Sequence, residues 1–173
     1  MTFSQIAAHV QSTTVNRFDA QTRTWLFVVA ALAAVFCCGI VVAPMIEQHG
    51  SPAGSLLRMA YSPACHQMPE RCLDLGFGPW TVCARCAGLY AGGLAGLLLG
   101  VLTGLRIRPS FGLIVVALIP TVVDFILAFT GLPSLPNWPR FLIALAPGFL
   151  VGLLLTDAIA DITSSVGPPA SSE

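Results

Sequence analysis

Apolar residues in this chain come in long blocks, not in the short alternations of a water-soluble fold. No charge interrupts Trp25 to Ile46, Ala87 to Leu105, Phe111 to Val123 or Phe141 to Thr156. A helix rises ~1.5 Å per residue and a bilayer core is ~30 Å thick, so about 20 apolar residues cross it. The blocks predict four transmembrane helices, roughly 25–46, 84–105, 111–130 and 140–160. The expected fold class is all-α, a polytopic integral membrane protein. A polar N-terminal tail at 1–24 precedes a four-helix membrane domain over 25–162. A Ser- and Pro-rich stretch, 163–173, is expected to be a disordered C-terminal tail. The longest polar interval, 47–83, reads as an extramembrane loop between helices one and two.

Composition sharpens this picture. Of 173 residues 55% are hydrophobic and 9% charged, against about 25% charged in a soluble domain. The lipid bilayer is therefore the expected partner. Net charge is zero, lysine is absent and no basic cluster exists, which excludes a nucleic-acid partner. The first apolar block is too long and begins too late for a cleavable signal core. Alternating spans put loop 47–83, the end of helix three and the start of helix four on one side of the membrane. Arg106 and Arg108 occupy the short turn on the other side, where the positive-inside rule acts most strongly. They favour cytoplasmic termini in a multi-pass cell-membrane protein, with a bacterial inner membrane as the expected setting.

Helix two carries Gly88, Gly92, Gly96, Gly100 and Gly104 at a spacing of four, which places them on one face. Such a groove admits a second backbone. Intramolecular packing against Gly112, Gly148 or Gly152 competes with a homo-oligomer interface. Pro120 and Pro147 are expected to kink helices three and four.

Chemistry concentrates at the polar interval. Cys65, His66, Cys83 and Cys86 fall within 22 residues. Cys83 and Cys86 share a face at the start of helix two, where unpaired N–H groups and Arg85 favour thiolates. Cys65 and His66 would complete a Cys3His set suited to zinc. Cys72 is a further candidate. Cys37 and Cys38 read as packing thiols within helix one, and His9 and His49 as solvated or interfacial side chains. Haem attachment is disfavoured because Ala87 follows Cys86. Asp124 interrupts an apolar run and requires a partner. Topology gathers it with Gln67, Arg71, Arg85, Asn137 and Arg140 into a polar cluster beside the thiols. Asp157 and Asp161, at the other end, are expected to be solvated.

The strings Cys65-His66-Gln67-Met68-Pro69-Glu70-Arg71 and Val82-Cys83-Ala84-Arg85-Cys86-Ala87-Gly88-Leu89-Tyr90-Ala91-Gly92 resemble the signature of a family of membrane proteins, domain of unknown function 2085. Asp124 and the run from Asn137 through Arg140 to Gly148 are similar to its later pattern. Cys72 stands where the resemblance leads one to expect Ser, and Ala87 where Thr is common. The resemblance implies a small integral membrane protein and no reaction.

Three functions are expected to compete. A zinc-type site of Cys65, His66, Cys83 and Cys86 comes first, closed and structural if four-coordinate, open to chemistry if not. A thiol–disulfide oxidoreductase using Cys83 and Cys86, passing electrons to a membrane quinone, is the alternative. A non-enzymatic scaffold assembled through the glycine face is the third.

Overall fold

The computed structural model describes residues 18–104, 106–131 and 135–166. The described elements are α1 (Ala20–Gln48), α2 (Pro52–Ala60), a 3-10 turn (Pro69–Arg71), β1 (Cys72–Asp74), β2 (Pro79–Cys83), α3 (Ala84–Thr103), α4 (Phe111–Phe129) and α5 (Asn137–Val166). Four of them, α1, α3, α4 and α5, are long and apolar enough to cross a membrane. The all-α membrane fold is therefore as the apolar blocks dictate.

The helix ends differ from the apolar limits because polar side chains extend them. Asp19 caps α1 by accepting from the Thr22 amide at 3.1 Å, so the helix starts before Trp25. The Thr22 and Thr163 hydroxyls meet at 2.6 Å, joining α1 to a last helix that continues past residue 162. Residues 163–166 are thus helical, whereas 1–17, with His9, and 167–173 lie outside the described residues. α3 ends at Gly104, whose φ of 66° is a left-handed cap open to glycine.

The centre of the molecule is the pair α3 and α5, which run parallel: Gly88, Gly92, Gly96 and Gly100 meet Phe141, Leu145, Phe149 and Thr156 in the same order. A Cβ at Gly88, Gly92 or Gly96 would collide with the carbonyls of Phe141, Leu145 or Phe149. Reciprocally, a Cβ at Gly148 or Gly152 would strike the carbonyls of Leu89 or Gly93. Gly100 faces Thr156. The glycine face is therefore filled by α5 of the same chain, which corrects the oligomer and scaffold expectation for it. Gly104 is a helix cap and Gly112 has open space, so neither takes part.

α1 packs on α3 through Leu26, Ala30, Leu97 and Val101. α4 lies at the edge, and Asp124 is its buried residue. Each of two helix prolines frees a carbonyl that a threonine from another element takes up. Pro44 cannot donate to Ile40, whose carbonyl instead accepts from the Thr81 hydroxyl at 3.1 Å. Pro147 likewise frees Ile143, and Thr121 of α4 donates there at 3.4 Å.

At the end opposite the cysteines, Asp157 and Asp161 are not simply solvated. Arg106 donates to Asp157 at 2.9 Å and also pairs with Asp161. Arg108 reaches Asp157 at 2.6 Å and Asp161 at 3.0 Å. The α3–α4 turn is short enough to hold both arginines against α5.

Candidate metal centre

The interval 47–83 is a folded lobe. α2 returns along α1, with Gly54 against the Glu47 backbone and the Tyr61 hydroxyl donating to the Phe36 carbonyl at 2.6 Å. β1 and β2 form an antiparallel hairpin in which Cys72 opposes Cys83. Its turn is closed by the Asp74 carboxylate, which accepts from the amides of Gly76 at 2.7 Å and Gly78 at 3.2 Å. The Thr81 hydroxyl keys β2 to the proline-freed carbonyl of α1, so Cys83, two residues on, is set against a fixed support.

These elements bring Cys65, Cys83 and Cys86 together, their Sγ atoms all within 4.8 Å of one another. Cys65 is buried and the other two are half-buried, in a core of Ile40, Tyr61, Val82 and Ala87. The Cys83 amide donates to Cys65 Sγ at 3.2 Å, the kind of contact that orients a thiolate ligand. The Cys83 thiol is lowered to about 5, first by hydrogen bonding from the Cys86 thiol, then by the Cys86 amide, Cys65 and the Arg85 charge, which together outweigh burial. The shift favours its thiolate, the species that binds soft metals or attacks disulfides.

His66 does not join the three thiols; it is exposed, outside their group. Adjacent residues in an extended segment point apart, and burying Cys65 turns its neighbour outward. Cys72 also stays outside the group. Its thiol donates to the Met68 carbonyl at 3.1 Å, and burial pushes it up to about 12. Cys37 is half-buried in α1, Cys38 is exposed beside it, and His49 is exposed just beyond the helix.

The polar residues divide. Asp124, 1% exposed, pairs with Arg85 and lies 3.3 Å from Arg140 Nε, and its Oδ1 accepts from the Leu135 amide at 3.0 Å. Arg85 lies over the Phe125 ring at 5.7 Å. Asn137 donates to the carbonyls of Glu70 at 3.1 Å and Cys72 at 2.9 Å, tying α5 to the hairpin. Gln67, at a φ of 53°, donates to the Arg58 carbonyl at 2.7 Å and closes the end of α2. Arg71 is exposed and belongs to no ion pair among the described residues.

Sequence reasoning passed over Tyr61, Thr81 and Thr121, which anchor the lobe and the helices around it. The available signals were Pro44 and Pro147, each of which leaves an acceptor four residues back.

The model of one protein family, "Predicted membrane protein (DUF2085)", matches residues 65–154, more than half of the chain. The chain belongs to the DUF2085 family. Its match begins at Cys65 and ends within α5, so the three thiols, Asp124 and both its arginine partners lie inside the DUF2085 region. An uncharacterized protein of Methanocaldococcus jannaschii is 32% identical over 127 residues, covering 68% of this chain and 81% of the relative. No solved structure matches the chain.

Proposed function

We propose that this DUF2085 protein binds one zinc-type ion through Cys65, Cys83 and Cys86. The observation that carries the reading is the convergence of three thiols from a loop, a strand end and a helix start within 4.8 Å. A Zn–S length of about 2.3 Å separates the sulfurs of a tetrahedral site by ~3.8 Å, so small side-chain rotations close the set. The donors suit the ion: the Cys83 thiol is lowered towards its thiolate and Cys65 Sγ accepts a backbone N–H. Three protein ligands leave a fourth position for water or an exogenous ligand. His66 fills it only by turning in from the surface. The bound metal would supply structural cross-linking of the lobe or a Lewis-acidic centre. The Asp124–Arg85–Arg140 cluster fixes the helix start that carries Cys86.

The lowered Cys83 thiol favours a second reading, a dithiol–disulfide couple of Cys83 and Cys86. One experiment separates the two. Protein purified in detergent without chelator is assayed for metal by mass spectrometry, with thiol alkylation before and after chelation. The metal reading expects about one zinc per chain. It also expects Cys65, Cys83 and Cys86 protected until stripping, and metal lost in Cys65→Ser but kept in Cys72→Ser and His66→Ala. Metal-free protein whose thiols appear only with reductant would sink it and leave the redox couple. We further propose a cell-membrane location with cytoplasmic termini, supported by Arg106 and Arg108 in the short turn.

A further inference from the structure

The lobe carries an apolar surface that neither the thiols nor the helix packing uses. We propose that α2 and the turn after it form a re-entrant arm, embedded in the leaflet on the cysteine side, with the outward stripe of α2 against lipid acyl chains. This inference does not depend on the metal reading.

Depth comes from register. The charge-free stretch of α1 runs from Trp25 to Ile46, about the thickness of the hydrocarbon core at ~1.5 Å per residue, and Glu47 marks its edge. α2 begins beside that edge, where Gly54 abuts Glu47. It then runs back along α1, and the Tyr61 hydroxyl reaches the Phe36 carbonyl, ~16 Å below Glu47 along the helix axis.

Polar groups point the same way. Ser55 Oγ donates to Glu47 at 3.3 Å and Arg58 Nε to its other oxygen at 2.9 Å, while Arg58 Nη2 donates to the Pro79 carbonyl at 3.0 Å. Both polar side chains of α2 are thus drawn to the edge of the span. What remains outward is Ala53, Leu56, Met59 and Ala60, a charge-free stripe with Leu56 66% and Met59 68% exposed. α1, on which α2 packs, exposes its own apolar row of Val35, Val42 and Met45.

The irregular backbone after α2 gives an independent argument. Non-helical chain at membrane depth persists only where protein satisfies its polar groups. Here the carbonyls of Ala64 and Met68 accept from the Tyr90 hydroxyl at 3.5 Å and the Cys72 thiol at 3.1 Å, and the Gln67 side-chain amide caps the last turn of α2 at the Arg58 carbonyl, 2.7 Å away.

The test places a tryptophan at Leu56 or at Met59 in the full chain, reconstituted in lipid nanodiscs. Emission is read as the difference from the parent protein, because three native tryptophans are present. Leu75→Trp, in the hairpin turn, serves as the water-side control. Phospholipids brominated along the acyl chain should quench positions 56 and 59 several-fold more than position 75, and acrylamide should do the reverse. Acrylamide quenching of 56 and 59 equal to that of 75 would overturn the proposal. So would protection from both quenchers, which would show a protein surface, such as a second copy, covering the stripe. Both sites are exposed, so neither tryptophan must displace packed atoms, and two positions guard against failure of one variant.

Discussion

Cys83 stands where a strand ends, a helix begins and two other thiols converge, and its reactivity should report that position. Its thiol is held down to about 5 by hydrogen bonds and the Arg85 charge, while Cys72, directly across the hairpin, is pushed up to about 12 by burial. A lowered thiol is ionised above its own pKa and loses its nucleophilicity as pH falls through that value. In chelated protein, iodoacetamide should therefore label Cys83 at a rate that is level near neutral pH and drops through about pH 5. Cys72 should remain unlabelled until denaturation; peptide mass spectrometry of the time course reads both. Thr81 matters through the acceptor it satisfies. Thr81→Val leaves the Ile40 carbonyl without a donor and should cost about 1–3 kcal/mol of stability. Thr81→Ser should recover most of it in detergent unfolding curves. The thiols were legible as a set from spacing. The partner of Thr81 was not, because it lies 41 residues away in α1.

At the scale of elements, α3 and α5 interlock through backbone surfaces on both sides. Lipid offers no hydrophobic drive between helices, so close van der Waals approach and carbonyl contacts must hold the pair. Gly96→Leu sets a side chain against the Phe149 backbone and should cost more than ~4 kcal/mol, seen as loss of the monodisperse species on size exclusion. Gly112→Ala, in open space, should shift stability by no more than about 0.5 kcal/mol. The spacing of the glycines was readable in the sequence and marked one face of the helix. Its occupant was not, since Gly148 and Gly152 acquire their role only when α5 lies parallel to α3 at that register.

Across the whole molecule, two charge clusters lock opposite ends of the bundle. Asp124 joins α4 to the starts of α3 and α5, and Asp157 with Asp161 joins the α3–α4 turn to the far end of α5. Asp124 is nearly inaccessible, and its partners' side chains are 20% and 10% exposed. Asp124→Asn removes the buried carboxylate that Arg85 and Arg140 share and should destabilise the fold by about 3–5 kcal/mol, measured by thermal unfolding in detergent. In the same assay, stripping the proposed metal should lower the melting temperature of the parent chain and leave Cys86→Ser unchanged.

The sequence by itself determined the membrane fold, the number of spans and the place of the cysteine cluster. Apolar blocks of bilayer length admit few other structures, and Cys65, Cys83 and Cys86 fall close together at the one long polar interval and the helix start that follows it. It also placed Asp124 within reach of arginines, because an isolated charge in an apolar run demands a partner. Only the tertiary structure decided which neighbours complete each group. It turned His66 outward when Cys65 was buried, gave the glycine face to α5, and folded a polar-looking loop back along α1. Those outcomes depend on backbone direction and register between segments far apart in sequence, and local residue pattern carries no record of either.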